Sequence, residues 1–313
     1  MRPRNNDSFC RLGVFAGSFD AAAAVAVLGD AELDVRESLA SLVAKSLVVP
    51  GNAGEERRYR PLETMRAFAL ERLATDAERY VYAVRHARFY CDRADAARHA
   101  YGQDAERGLV ARNELDLDNY REALRVTLLE RADPSLGVRI ILAIQWMYSQ
   151  LTLFAELLHW LEIAVAENAE RPELERAHVH EAIANAHGHL GNLEAAIIAG
   201  RQAHVAYAIS NSTPVLFLTN LAWYLKLTGR TREAMSTAAE AYAVARAREV
   251  PYEIGRASRS LASCTPLTEA TRRHELLDEA IAIFRTAGSG KGLNGALQDK
   301  AWITLSLCST SRQ

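Results

Sequence analysis

The chain has 313 residues, of which 49% are apolar and 24% charged, and its formal net charge is −2. At roughly 150 residues per domain this length predicts two domains, and the apolar fraction excludes an intrinsically disordered chain. The near-neutral charge excludes a general basic field for nucleic acid and leaves room only for a local basic patch. Few glycines and prolines beside abundant alanine and leucine favour a mainly helical fold.

Cysteine spacing indicates a compartment in which disulfides do not form. Hydropathy indicates no membrane-spanning segment. Four cysteines are scattered without a CxxC pair: Cys10, Cys91, Cys264 and Cys308. This spacing fits neither a disulfide framework nor a zinc site and is typical of buried thiols in a reducing cytoplasm. The longest uncharged run, residues 140–155, is shorter than the ~20 apolar residues that cross a bilayer, so it predicts a buried helix. We therefore expect a cytoplasmic protein with no membrane partner.

The first 76 residues contain the strand pattern of the chain and predict a winged-helix domain. Residues 19–28 and 34–45 have helical patterns, and Asp34 with Glu37 suits an N-cap and its capping-box partner. Two short runs, 46–49 and 57–60, flank a Pro/Gly/Asn turn and predict a hairpin. A helix over 62–74 follows. Several helices, a small hairpin and a closing helix are the order of a winged helix.

Four stretches resemble one family in both sequence and order. They are residues 12–19 (Leu-Gly-Val-Phe-Ala-Gly-Ser-Phe), 42–48 (Leu-Val-Ala-Lys-Ser-Leu-Val), 59–73 (Tyr-Arg-Pro-Leu-Glu-Thr-Met-Arg-Ala-Phe-Ala-Leu-Glu-Arg-Leu) and 113–124 (Asn-Glu-Leu-Asp-Leu-Asp-Asn-Tyr-Arg-Glu-Ala-Leu). The first three are similar to the winged helix that follows the nucleotide-binding domain in bacterial STAND-type signalling ATPases, regulators related to LuxR, and the fourth to their linker helix. The resemblance implies a regulatory arm and, in a longer parent protein, an upstream ATPase domain as its partner. The P-loop and its magnesium-binding acid are not in this sequence, so we expect the tail of such a regulator, truncated at both ends.

The rest of the chain is helical by pattern, with a linker region over residues 77–134 and repeats over 135–313. Residues 191–196 recur as 229–234, and each glycine, Gly191 and Gly229, falls between two helices. Rows of small residues begin at Ala196 and Ala234 and allow close helix approach. This predicts tetratricopeptide-like (TPR-like) repeats somewhat longer than the usual ~34 residues, with an incomplete last repeat. The expected fold is a winged-helix domain followed by an α-α superhelix.

No stretch of the sequence has the pattern of a catalytic or cofactor site. Residues 288–292 (Gly-Ser-Gly-Lys-Gly) lack the spacing and strand of a P-loop, so they predict a helix–helix turn. No carboxylate or thiol completes a convincing tetrahedral metal site with the histidines over 178–189, although Glu181 is near. The acidic residues Asp116 and Asp118 are interpreted as solvated surface. We expect no enzyme activity, no cofactor and no bound metal.

Two functional interpretations of the winged helix remain. Acidic and basic side chains balance over residues 1–75, which favours an intramolecular packing module over DNA binding. The alternative is a stand-alone winged-helix transcription factor with a ligand-sensing repeat domain. Its DNA contacts would come from the third helix and the wing, namely from Arg36, Lys45, Arg57, Arg58 and Arg60.

The repeats predict a protein or peptide partner on their concave face, because the first helix of each pair lines that face in a TPR solenoid. The inward positions are His178, Glu181, Asn185, His189, Thr219, Trp223, Lys226 and Trp302. Tryptophan among polar groups is typical of an interface anchor. The competing interpretation is that both tryptophans fill gaps between helices. Together these patterns predict a non-catalytic regulatory and protein-interaction module of a bacterial signalling or transcriptional regulator.

Overall fold

The computed structural model describes residues 3–29, 32–53, 56–73, 76–101, 106–167 and 171–310. The chain divides into two compact units, an N-terminal unit of residues 1–170 and a C-terminal unit of residues 171–313. The domain boundaries expected after residues 76 and 134 remain predictions.

The N-terminal unit begins with four helices and three strands. They are α1 (Pro3–Leu12), β1 (Phe19–Asp20), α2 (Ala21–Leu28), α3 (Glu32–Ala44), β2 (Val48–Ala53), β3 (Glu56–Pro61) and α4 (Glu63–Arg72). The strands form an antiparallel sheet in the order β1-β3-β2, with Phe19 opposite Tyr59 and Val48 opposite Pro61. The predicted hairpin and closing helix are confirmed.

Two predicted helix starts are wrong. Phe19 and Asp20 pair with β3 as strand β1, and the Asp20 carboxylate accepts a hydrogen bond from the Ala23 N–H (2.7 Å), so Asp20 caps α2. Asp34 lies inside α3, which includes residues from Glu32 onward, and it therefore cannot be the N-cap of that helix. Tertiary pairing to β3 decides the first case, because a two-residue strand leaves no periodic signal in the sequence.

The remainder of the N-terminal unit is helical. Its elements are α5 (Asp76–Tyr101), α6 (Glu106–Glu114), α7 (Leu117–Leu124), a π-helical turn (Arg125–Leu129), α8 (Pro134–Gln150) and α9 (Phe154–Ala166). The uncharged run 140–155 is not one helix, since Thr152 adopts a left-handed φ of 56° between α8 and α9. The α8 part is buried as predicted, with Ile140, Ile141 and Met147 inaccessible to solvent.

The C-terminal unit consists of helices in pairs. Its elements are α10 (Glu173–His189), α11 (Leu193–Ile209), α12 (Val215–Leu227), α13 (Thr231–Arg248), α14 (Pro251–Cys264), a 3₁₀ turn (Leu267–Glu269), α15 (Ala270–Thr286) and α16 (Gly290–Thr310). Gly191 and Gly229 adopt φ values of 79° and 76° in the turns within two pairs, a conformation that a Cβ opposes. Ala196 and Ala234 are buried at the equivalent places of α11 and α13. The predicted repeat register is confirmed.

Within the described ranges, the structure contains no helix that is long and apolar enough to cross a membrane.

Candidate functional site

A loop of the winged helix is held by one buried amide from the helical part of the N-terminal unit. The loop joins α1 to β1, and the amide belongs to Asn119 on α7, which is inaccessible to solvent. Asn119 Oδ1 accepts hydrogen bonds from the N–H groups of Ala16 (3.1 Å) and Gly17 (3.2 Å), and its Nδ2 donates to the Ser18 carbonyl (2.8 Å). A Cβ on Gly17 would lie 3.1 Å from Asp118 Cβ, so the backbones approach closely. Two stretches that resemble the regulator family, 12–19 and 113–124, therefore contact each other.

Beside this amide, two arginines and two aspartates form a cluster that we call the Arg58–Asp116 cluster: Arg58, Arg93, Asp20 and Asp116. Arg58, on β3, is 4% exposed; its Nε donates to Ser18 Oγ (2.9 Å) and its guanidinium pairs with the buried Asp116. Arg93 Nη1 donates to the other Asp116 oxygen (2.8 Å), and Arg93 also pairs with Asp20. The cluster thus connects β1 and β3 of the winged helix with α5 and the turn before α7.

The surroundings of Asp20 favour its charged form. Burial by itself raises the pKa of Asp20, but the Ala23 N–H and the Arg93 charge outweigh it, so the pKa stays below its usual value. Charges buried in pairs resist separation, because removing one partner leaves the other without compensation. The interpretation of Asp116 as a solvated surface acid is wrong, because it is 2% exposed.

Aromatic rings enclose His86 next to Asn119. The His86 ring lies 5.1 Å from Phe15 and 4.6 Å from Tyr90, and its Nε2 is 3.4 Å from Asn119 Oδ1. Desolvation by burial lowers the pKa of His86 to about 4, although the contact with Asn119 acts in the opposite direction. His86 is therefore neutral at pH 7 and packs as part of the core.

The structure separates the residues predicted for DNA contact. Arg36 and Lys45 of the third helix region are exposed, as are Arg57 and Arg60 on the wing. Arg58 faces inward because Asp116 provides its carboxylate, so its assignment to a DNA surface is wrong. The exposed surface of α3 also presents Asp34 and Glu37, which offset the two cations there.

A groove with a volume of about 1020 Å³ lies in the C-terminal unit, between side chains of α12, α14, α15 and α16. Four of the predicted partner-binding residues line it: Thr219, Trp223, Lys226 and Trp302. Trp223 is 47% exposed and Trp302 70% exposed, so neither side chain is enclosed by neighbouring helices as a gap filler would be. Lys226 Nζ lies 5.2 Å from the centroid of the Trp223 ring. The binding role of these residues stays a prediction.

The other four predicted residues lie on α10 and do not line the groove. His178 and His189 are exposed elsewhere on that helix. Glu181 accepts a hydrogen bond from the Tyr207 hydroxyl, and burial raises its pKa. Asn185 Oδ1 accepts from Asn220 Nδ2 and from the Tyr224 hydroxyl, both at 3.2 Å. The expectation that all eight positions share one surface stays a prediction; Asn185 bonds directly to Asn220, which lines the groove.

Four cations that line the groove are not among the partner-binding residues predicted from the sequence: Arg256, Arg259, Arg273 and Lys291. Arg256 donates to two neutral oxygens, Thr219 Oγ1 (3.0 Å) and Asn220 Oδ1 (3.1 Å). Among the described residues, the buried Nε of Arg273 has no hydrogen-bond partner. Lys291 belongs to the Gly-Ser-Gly-Lys-Gly stretch, of which Gly288 and Ser289 lie in the turn between α15 and α16 as predicted, whereas residues 290–292 already begin α16.

No group of three His, Cys, Asp or Glu side chains in the described part of the chain is placed to hold a metal ion. The predicted absence of a catalytic site and of a cofactor stays a prediction.

Comparison with known proteins agrees with the winged-helix order. Residues 2–74 match the model of a winged helix-turn-helix domain family. Two relatives, from Mycobacterium bovis and Mycobacterium tuberculosis, are provisionally named HTH-type transcriptional regulators. Each is 43% identical over 118 residues, which are 37% of this chain and 13% of the relative. The chain carries an N-terminal winged helix-turn-helix domain. The 118 matching residues span about an eighth of the length of these relatives.

Solved structures establish the fold of the repeats. The TPR-like repeats of a Podospora anserina protein provisionally named kinesin light chain superpose with a TM-score of 0.51 at 16% identity, covering 64% of this chain and 98% of that one. The apo form of RapI gives 0.52 at 11% identity, covering 79% and 66%. A STAND protein with a tetratricopeptide repeat sensor from Pyrococcus horikoshii covers 98% and 48% at 17% identity, but its TM-score of 0.48 is too low to bear on the fold. The predicted fold class, a winged helix with TPR-like helical repeats, is confirmed.

Proposed function

We propose that this chain is a non-catalytic regulatory and protein-interaction module of a bacterial signalling or transcriptional regulator, and that it acts in the cytoplasm. In this proposal the winged helix is an intramolecular arm that contacts its own helical region instead of reading DNA. The repeats carry the surface for a protein partner. A further partner of the arm would be the upstream ATPase domain of a longer parent protein. This part of the proposal is based on the family resemblance of residues 12–19 and 59–73.

The Arg58–Asp116 cluster is the observation that supports the arm. Lifting the winged helix away from α5 and α7 would separate Arg58 from Asp116 and Asp20 from Arg93, and Arg58 and Asp20 are 4% and 6% exposed. In this proposal the two buried pairs specify the position in which the winged helix contacts its own helical region. Asn119 adds three hydrogen bonds to the same contact.

The alternative is a stand-alone winged-helix transcription factor that binds DNA. The matching family model and the names of the mycobacterial relatives favour it. Its remaining exposed candidates are Arg36, Lys45, Arg57 and Arg60. DNA affinity depends on the number of phosphates that such cations neutralise, and the exposed acids Asp34 and Glu37 lie on either side of Arg36 in the sequence.

A salt titration with DNA separates the two functions. We would measure fluorescence anisotropy of a labelled mixed-sequence duplex with the full chain between 50 and 300 mM salt, with Arg57→Ala/Arg60→Ala as a matched variant. Non-specific binding requires no known operator, and its salt slope reports the number of neutralised phosphates. The arm function predicts weak binding with a shallow slope that the variant does not change. Tight binding with a steep slope that the variant reduces would establish the DNA-binding alternative.

A further inference from the structure

We infer that the groove between α12, α14, α15 and α16 binds an acidic peptide segment of a partner protein, in which carboxylates alternate with aromatic or aliphatic side chains. This inference rests on the interaction role proposed for the repeats and specifies the chemistry of the partner.

The groove has a strong local excess of positive charge. Five cations line it: Lys226, Arg256, Arg259, Arg273 and Lys291. The lining contains a single acidic residue, Asp299, whose Oδ2 accepts from Arg259 Nε at 2.6 Å. The whole chain has a net charge of −2, so this excess belongs to the groove and not to the average surface. A cleft lined by charges of one sign concentrates ligands of the opposite sign.

Within the part of the chain that the structure describes, Arg256 and Arg273 form no ion pair with a carboxylate, and the Asp299 charge acts on Arg273 only from beyond ion-pair distance. The Arg256 guanidinium donates to the side-chain oxygens of Thr219 and Asn220 and also contacts the Tyr252 hydroxyl, all of them uncharged groups, and burial lowers its pKa. Arg273 Nε is buried without a hydrogen-bond partner, and burial lowers the pKa of Arg273 as well. A buried polar group without a partner is unfavourable, and ligand carboxylates would supply the missing acceptors.

Aromatic side chains lie among these cations. Trp223, Tyr252 and Trp302 are between 47% and 70% exposed and line the groove. Tryptophan, tyrosine and arginine are the residues that contribute most to protein interfaces, since they bury large areas at low entropic cost. Leu277, Phe284 and Ile303 are buried and complete an apolar floor. Apolar side chains of the partner would pack here while its carboxylates contact the arginines.

The arrangement favours a peptide over a phosphorylated ligand. A phosphate site on the turn before α16 would need unused backbone N–H groups. Most of these groups are already used: the N–H groups of Gly288, Ser289 and Leu293 donate to the carbonyls of residues 285, 284 and 289, and the Gly292 N–H donates to Ser289 Oγ, so among the described contacts only the N–H groups of Gly290 and Lys291 are left for a ligand. The five cations are distributed over four helices, which suits several carboxylates spaced along a chain better than one compact phosphate group.

The test uses the full chain and a fluorescein-labelled acidic peptide, (Glu-Phe-Asp-Leu)₃, followed by anisotropy at 50 and 300 mM salt. A basic peptide, (Lys-Phe-Arg-Leu)₃, has the same apolar content and opposite charge. We expect the acidic peptide to bind with a dissociation constant that rises at least tenfold at the higher salt, and the basic peptide to bind at least tenfold more weakly at 50 mM.

Matched variants localise the binding. Arg273→Gln should weaken it at least fivefold, whereas Arg272→Gln, on the same helix and outside the groove, should change it less than twofold. Lys291→Gln, at an exposed position, and Lys226→Gln, on a different helix, provide the same test if Arg273→Gln lowers the melting temperature. Equal effects of Arg272→Gln and the groove variants would overturn the inference. So would displacement of the acidic peptide by ATP or by single-stranded DNA at tenfold lower concentration than by unlabelled peptide.

The outcome is independent of the proposed arm function. Absence of peptide binding together with weak, salt-insensitive DNA binding would overturn this inference alone. Tight DNA binding with intact peptide binding would overturn the arm function alone.

Discussion

The two units use charged side chains in opposite ways. In the N-terminal unit, Arg58 and Arg93 are paired with Asp116 and Asp20, and these pairs connect the winged helix to α5 and α7. In the C-terminal unit, the groove holds arginines such as Arg256 that bond to neutral oxygens. In the first unit, the arginines therefore pair with carboxylates of the protein itself. In the second unit, the groove arginines are left to pair with carboxylates of a ligand.

The cores of the two units differ as well. Aromatic rings of Phe15, Phe19 and Tyr90 pack around His86 in the N-terminal unit. The helices of the C-terminal unit pack through small residues, of which Ala196 and Ala234 are examples. Large rings and buried ions give contacts specific to one partner surface, whereas rows of alanine allow similar helix pairs to stack repeatedly.

The largest effect is expected from Asp116→Asn, which tests whether the buried pairs hold the N-terminal unit together. Because Arg58 would remain buried with only the partly exposed Glu56, 3.8 Å away, as a counter-charge, the variant should lose about 3–5 kcal/mol of unfolding free energy. Hydrogen exchange with mass spectrometry would resolve this loss in the winged helix and in α7. Asp118→Asn is the control, since Asp118 is 55% exposed and pairs with Arg121 on the same helix. Equal losses in both variants would contradict a special role for burial.

Enlarging a small residue of the repeats tests the other core. Ala234→Leu should overpack the contact in which Ala234 is buried and cost about 1–3 kcal/mol, and Ala196→Leu should behave alike. Urea denaturation of the full chain measures the change. Ala239→Leu adds the same side chain at an exposed position of α13 and should be nearly neutral. Unchanged stability of both buried variants would contradict the repeat register.

His86 should make the stability of the N-terminal unit depend on pH. Its pKa is lowered to about 4 in the folded state, so between that pH and its unfolded value near 6.5 only the unfolded chain takes up the proton. Stability is therefore complete above pH 6.5 and falls on acidification, by about 2 kcal/mol from pH 7 to pH 5. The His86→Gln variant should lose this fall.

The control for that titration is His99→Gln, an exposed histidine on the same helix, which leaves His86 in place. Denaturation at pH 7, 6 and 5, read by hydrogen exchange in α5, provides the measurement. A wild-type protein with equal stability at pH 7 and pH 5 would contradict the burial of a neutral histidine.

Patterns local in sequence predicted most of the fold. The hairpin and the glycine turns at 191 and 229 follow from backbone chemistry within a few residues. The contact between Arg58 and Asp116 joins residues far apart in the chain, and no periodicity links them. The sequence alone therefore predicts Asp116 to be an exposed surface residue, although it is buried.

The groove shows the same limit of sequence reasoning. Trp223 and Lys226 could be predicted, since they lie on one face of one helix. Arg256, Arg273 and Lys291 come from three other helices, and only the packing of the unit brings them to the same cavity. Arg256 and Arg273 form no ion pair with a carboxylate among the described residues, and a single sequence does not display this property of the folded structure.

The smallest effect is expected where an ion pair lies on the surface of the repeats. Arg201 Nη2 and Glu233 Oε2 are 2.5 Å apart, and their side chains are 53% and 52% exposed. Water screens this attraction, and ordering two long side chains costs entropy, so Glu233→Gln should change the unfolding free energy by less than about 0.5 kcal/mol. Urea denaturation at 50 and 500 mM salt measures the change, which should vanish at the higher salt. If Glu233→Gln lowered the unfolding free energy as much as Asp116→Asn, solvent exposure would not determine how much an ion pair stabilises this protein. That result would contradict the contrast between the buried pairs of the first unit and the surface pairs of the second.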